Sequence, residues 1–250
     1  MSPSLAGCEL THLPRVPIDA ERARAQHERY ESLLSALGCA VVRLPSAPAL
    51  PDAVFVEDTA VVLPELAVVT RPGAASRRAE TASTAAALAA HRPLAFIEEP
   101  GTLDGGDVLR TGKTLRVGVS GRSNASGIEQ LRALLAPFGY TVEAIPFSGC
   151  LHLKSAVTEV APDLLLVNPS WVDPSRFGGA RFLAVDPAEP HGANALLVGE
   201  TVVHPESFPR TRARLEACGV RIETIDVSEL QKAEGAVTCC SLVFEAAAAG

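Results

Sequence analysis

Polar landmarks recur along this 250-residue chain at a nearly constant spacing. Asp58, Asp104, His152, Asn194 and Cys239 each stand beside a short apolar run, and successive landmarks lie 46, 48, 42 and 45 residues apart. A period in that range marks a repeat architecture, with ring-like propellers among the options. In a ring, equivalent points of every unit face one axis, so residues far apart in sequence converge on one centre. A doubly wound sheet also alternates strands and helices, but each unit here carries an additional hairpin.

The rest of the pattern fits such units. Residues 18–37 read as a helix, with Asp19 as N-cap and Gly38 as its stop. Ala40-Val41-Val42-Arg43-Leu44 reads as a strand. A short strand ending in acids follows at 54–58, then a hairpin of 60–62 with 66–69, a helix over about 76–91 and a strand at 94–97. Later helices are expected over about 123–138 and 206–218, and strands at 141–145, 151–155, 164–167, 182–185 and 220–225. Cys239 falls on a Gly-containing turn expected to run into a strand at 242–244, where at most one of Cys239 and Cys240 faces a given pocket.

Composition narrows the partners. A formal charge of −7 with no basic block argues against nucleic acid and suits a small cationic ligand. The six cysteines show neither a disulfide framework nor zinc-type spacing, and no signal peptide is evident, so reduced thiols in the cytoplasm are expected. No apolar run approaches the roughly 18 residues of a membrane helix, the Ala-rich pieces at 84–90 and 246–249 being short. Oligomeric state is left at monomer or homodimer.

If the units converge, their centre gathers Cys239, His152, Asp104, Asp107, Glu57 and Asp58, with Asp52 nearby. A cysteine has an ordinary pKa near 8.5 and needs a neighbouring cation to become a good nucleophile. Carboxylates oppose that in an empty site, but they attract a planar cation such as a guanidinium. Once bound, that cation itself favours the thiolate. Taken singly, each piece has a plainer reading: a core histidine at 152, a turn at 104–107, a strand end at 57–58, surface cations at Arg77 and Arg122. Their common phase in the repeat argues against those readings.

At these residues the chain resembles the dimethylarginine dimethylaminohydrolases, of the guanidine-modifying (pentein) superfamily that also contains arginine deiminase. The matching motifs are Asp52-Ala53-Val54-Phe55-Val56-Glu57-Asp58, Leu103-Asp104-Gly105-Gly106-Asp107-Val108-Leu109, Gly121-Arg122-Ser123-Asn124, Leu151-His152-Leu153-Lys154-Ser155, and Glu229 to Gly235 leading to Cys239-Cys240-Ser241. The resemblance implies an α/β fold, a five-bladed α/β-propeller of ββαβ repeats, spanning 1–250 as one catalytic domain. It implies Cys239 as nucleophile, His152 as general acid and base, and Asp104 as the carboxylate that orients it. Asp52, Glu57 and Asp58 look like substrate contacts, Arg77 and Arg122 like a clamp on the α-carboxylate, and Leu10 like part of a mobile covering loop. Ala233, within the last motif, counts among the substrate contacts. The implied reaction is hydrolysis of N(omega)-methylated arginine to citrulline and dimethylamine or methylamine through a covalent thiouronium, without metal or organic cofactor.

One departure is expected to matter: relatives begin with an additional strand before the segment equivalent to Ser4-Leu5, so the first strand of one blade is expected to be missing. Two other readings remain open: a deiminase-type hydrolase acting on unmethylated arginine, and a non-catalytic, thiol-responsive relative.

Overall fold

Four of the repeats fold as a hairpin followed by a strand laid parallel to the hairpin's second member. The structure, a computed structural model, describes residues 1–246, so all but the first residue of the Ala-rich piece at 246–249 lies outside it. A long helix, α1 (Ala20–Ala36), precedes the sheets. The first sheet is β1 (Ala60–Val62), β2 (Ala67–Val69) and β3 (Leu94–Phe96); the second is β4 (Val108–Thr111), β5 (Thr114–Val119) and β6 (Thr141–Pro146). The third is β7 (Val157–Ala161), β8 (Leu164–Val167) and β9 (Arg181–Ala184); the fourth is β10 (Leu196–Val198), β11 (Thr201–Pro205) and β12 (Arg221–Ile225). In every sheet the middle strand pairs antiparallel with the strand before it and parallel with the strand after it.

A parallel pair needs a crossover. Helices α2 (Thr81–Leu88) and α3 (Ala125–Leu135) supply it in the first two sheets, and a turn of 3-10 helix at Pro174–Arg176 lies in the third. Two short helices, α4 (Leu153–Ala156) and α6 (Ser228–Gln231), follow the second and fourth sheets, and α5 (Pro209–Ala217) is the fourth crossover. The middle strands β2, β8 and β11 are buried along their whole length. Strands covered on both faces read as continuous apolar runs, which Leu164-Leu165-Leu166-Val167 illustrates.

Five long-range hydrogen bonds close the ring around its centre. The Gly106 N–H donates to Asp58, and the Leu153 N–H to Asp107. Asn194 donates to the Lys154 carbonyl and to Thr238, and the Thr238 hydroxyl donates to Glu57 across 181 residues of sequence. Each bond joins one repeat to the next, and the last returns to the first. The constant period thus corresponds to five residues' stretches meeting at one place, as the sequence predicts.

Helices α1 and α3 lie close to their expected positions, each with an explicit cap, whereas the helix expected over 76–91 begins as a 3-10 turn at Ala75–Glu80. Asp19 accepts from the N–H groups of Glu21 and Arg22, and Asn124 accepts from Gly127 at the head of α3. An N-cap of this kind is worth about 1 kcal/mol. Helix α1 takes the fifth position, stitched to α6 through Gln26 with Ser228 and the Glu229 N–H, and to the thiol-bearing turn through the Tyr30 hydroxyl and the Val237 carbonyl.

Four sequence expectations are corrected. Residues 40–44 are not a strand: Val41 and Val42 are exposed, with no ladder. Residues 242–244 are likewise outside any strand. In the four complete sheets a middle strand pairs on both sides, and among the described residues none stands between these two segments. Residues 56–59 form a 3-10 turn instead of a strand end, which buries Glu57 and Asp58 together where strand alternation would separate them. Residues 153–156 are helical, with His152 extended at the head of α4.

Candidate active site

His152 is held from two sides. Its Nε2 lies 3.1 Å from Asp104 Oδ2, and its Nδ1 lies 3.7 Å from Asp58 Oδ1. The other Asp104 oxygen accepts from the Gly73 N–H, and Asp104 itself is fully buried. The imidazole can sit there because the neighbouring residue is glycine: a Cβ on Gly106 would stand 2.6 Å from His152 Nδ1 and 2.7 Å from Asp58. Burial disfavours the imidazolium, but the Asp58 charge, the Asp104 hydrogen bond and Asp107 outweigh it and raise the His152 pKa to about 9. With Nε2 committed to Asp104, Nδ1 is the nitrogen left to exchange a proton.

Asp58 is the matching anion. Burial opposes its charge, yet His152, Arg77 and the Gly106 N–H hold its pKa down at about 2. Asp107 accepts from the hydroxyls of Ser120 and Ser123 and from Leu153, and burial pushes its pKa up to about 6.

Cys239 opens on the same cleft as His152, Asp58, Asp52, Arg77 and Arg122. It lies on a turn over residues 237–240, while Cys240 points elsewhere, its Sγ against the Ala236 carbonyl. Burial, Glu57 and Asp58 push the Cys239 pKa well up; the Ala236 N–H, 3.3 Å from Sγ, and Thr238 pull the other way. Burial and the neighbouring acids thus favour the neutral Cys239 thiol, and a cationic substrate beside it would shift the balance toward the thiolate.

The expected substrate contacts separate into two groups. Asp52, Asp58, Arg122 and Ala233 line the cleft. Glu57 is buried beside the thiol but is engaged by Lys154 and by the Thr238 hydroxyl, with its N–H donated to the Cys239 carbonyl. Arg77 reaches the cleft but is saturated: it pairs with Asp58 and Glu80 and donates to the Phe55 carbonyl. Its guanidinium is a strut for the acids, with far less to offer a carboxylate than Arg122, which is half-free beside Thr11 and 4.0 Å from Asp104. Leu10 packs into the apolar cluster around Cys239, and its neighbour Glu9 is the residue that lines the cleft.

Sequence reasoning missed Glu9 and Glu234. The Glu9 N–H donates to Asp52, and its carboxylate accepts from Ser76 at 2.6 Å. Glu234 adopts a left-handed backbone, φ 58°, which costs about 1 kcal/mol relative to glycine. A non-glycine residue beside Gly235 in the last motif was the available signal. Donor atoms of Asp58, Asp104 and His152 lie within 4.8 Å of one another, a grouping that could receive a metal ion. The same atoms already bond Arg77, Gly106, Gly73 and each other, and a metal would have to displace those partners.

No protein-family model matches the chain. It is 43% identical to the N(G),N(G)-dimethylarginine dimethylaminohydrolase of Streptomyces coelicolor, over 96% of this chain and 93% of that protein. It is 33% identical to the protein of the same name from Pseudomonas aeruginosa, over 90% of each. The solved Pseudomonas enzyme, a cysteine-to-serine mutant complexed with citrulline, superposes with a TM-score of 0.93 at 32% identity, covering 97% of this chain and 96% of that one. An amidinotransferase from Microseira wollei shares the fold, with a TM-score of 0.82 at 19% identity over 91% and 84% of the two chains.

Proposed function

The chain belongs to the dimethylarginine dimethylaminohydrolase family, and from that premise we propose that Cys239, His152 and Asp104 hydrolyse N(omega)-methylated arginine to citrulline and a methylamine. The observation that carries the reading is the meeting of the Cys239 thiol, the His152 imidazole held by Asp104, and several carboxylates in one cleft. Asp58 receives the guanidinium, and Glu57 adds negative charge beside it. Asp52 and Glu9 face the α-ammonium group, and Arg122 takes the α-carboxylate. Ala233 borders the substrate chain. Arg77 acts through Asp58, which it holds ionised and in place.

The chemistry follows from the charges. Bound guanidinium favours loss of the Cys239 proton to solvent, from which the thiolate regains it after product leaves. The thiolate adds to the guanidinium carbon to give a neutral tetrahedral adduct. His152 gives its Nδ1 proton to the methylated nitrogen, the C–N bond breaks, and dimethylamine leaves. A thiouronium cation and a neutral imidazole remain. His152 then takes a proton from water as the water oxygen bonds to carbon. The C–S bond breaks, thiolate returns, and citrulline leaves, its last proton going to the released amine. Asp104 keeps the imidazole aligned in both halves.

The site draws on residues from 9 to 239, so the whole chain acts as one catalytic unit in this reading. No described helix is long and apolar enough to cross a membrane, and six free cysteines suit a reducing cytoplasm. The test is incubation with asymmetric dimethylarginine, monomethylarginine, arginine and agmatine, each with quantification of the ureido product and with Cys239→Ser as control. Turnover of methylated arginines well above arginine, lost in the variant, is expected. Preference for arginine would move the protein to the deiminase type.

A further inference from the structure

The loop at the rim of the cleft, residues 8–15, is fastened from the far end of the chain. The N–H groups of Thr11, His12 and Leu13 all donate to the carboxylate of Glu234, Thr11 at 3.0 Å. Successive backbone N–H groups gathered on one anion form a binding concavity of the kind used for free anions. Here the anion is a side chain more than 200 residues away in sequence.

Glu234 occupies its place at a cost. It ends the turn after α6, where the Gly235 N–H donates to Leu230 and the Glu234 N–H to Gln231. The left-handed position in such a helix ending ordinarily carries glycine or asparagine. Glutamate stands there instead, at the rim of the cleft. Strained backbone at a site edge points to a use for the side chain it presents.

Besides the Ser76 tie to the Glu9 carboxylate and the packing of Leu10, two other fastenings of the loop run through groups the substrate engages. Glu9 is tied to Asp52, and Thr11 to Arg122. A ligand that pairs with Asp52 and Arg122 competes with both ties. The Glu234 bonds do not face that competition.

We propose that Glu234 is the latch of this loop, a positioning residue whose carboxylate holds residues 11–13 at the rim of the cleft that contains Cys239 and His152 while substrate competes for the ties through Asp52 and Arg122. The kinetic part of this rests on the substrate reading above; the latch itself does not.

Amide hydrogen exchange on the substrate-free protein reads the latch without turnover. In both Glu234→Gly and Glu234→Ala, exchange at Thr11, His12 and Leu13 is expected to speed up by roughly tenfold or more, with β5 and β8 unchanged. The glycine variant is expected to melt above the alanine one, because only glycine takes the left-handed backbone without strain. With asymmetric dimethylarginine, both are expected to raise KM about tenfold and change kcat less. Unchanged exchange at those three amides would overturn the proposal. So would a glycine variant that melts low and loses protection throughout, since that marks a structural role. Faster exchange in the variants of a protein that turns over no methylated arginine would keep the latch and reject the substrate reading.

Discussion

On the floor of the cleft, Asp58, Asp104 and His152 are buried, and each is bonded to a residue from another repeat. On its roof, residues 9–13 are largely exposed and are held mainly through their backbone N–H groups. The floor fixes a proton donor and its orienting acid where no side chain has room to turn. The roof is held by a few bonds, each replaceable by water or ligand. Chemistry that needs alignment sits where motion is excluded, and access is given to the part that can let go.

The contrast breaks most sharply at the two arginines. Arg77→Ala leaves Asp58 and Glu80 buried without their cation, and is expected to cost about 3–5 kcal/mol in denaturant unfolding. Arg122→Ala, on the roof side, is expected to leave stability within about 1 kcal/mol and to raise KM instead. Equal loss of stability in the two would erase the distinction drawn between strut and clamp.

Gly106→Ala tests the floor itself. A methyl group there meets both His152 and Asp58 at under 3 Å, so the imidazole must move. A loss of about a hundredfold in kcat is expected, with far-UV circular dichroism unchanged. Retained activity would mean that the floor is less rigid than its packing indicates.

The pH dependence follows from the raised pKa of His152. The imidazolium is the form poised to donate, so kcat/KM is expected to fall about tenfold per unit above roughly pH 9. The same shift gives stability that is complete below the ordinary value of 6.5 and is lost as pH rises through about 9. Melting curves of His152→Ala should lack that alkaline decline. Smallest is Ser76→Ala, which removes one hydroxyl tie to Glu9 and is expected to change KM by less than about threefold, with no change in melting temperature.

The sequence made the floor legible because its residues recur in phase. The landmark spacing and the cap at Asp19 rest on local chemistry or on a period, while the choice of Cys239 over Cys240 rests on the family resemblance. The roof was legible only in part. A carboxylate that accepts from amides over 200 residues away leaves no periodic trace, and Glu9 rather than Leu10 lines the cleft by a shift of one residue. Arg77 looked like a free clamp, since its saturation depends on a fold that brings Asp58 and Phe55 to it; Glu80, three residues on, was the one local hint. The apolar stretches at 40–44 and 242–244 have strand composition, but a strand is a property of a pair, and neither has its neighbour among the described residues.

The circle of bonds through Gly106, Leu153, Asn194, Thr238 and Glu57 has a further consequence for how such a protein changes over time. Each repeat supplies one seat at the centre, and the backbone that holds a seat is separate from the side chain that fills it. Asn194 fills its seat with an amide spent entirely on bonds to the Lys154 carbonyl and Thr238. The others carry an acid, an imidazole or a thiol. Reactions can therefore be rewritten seat by seat on an unchanged ring, and descent with new chemistry requires a few central substitutions instead of a new architecture.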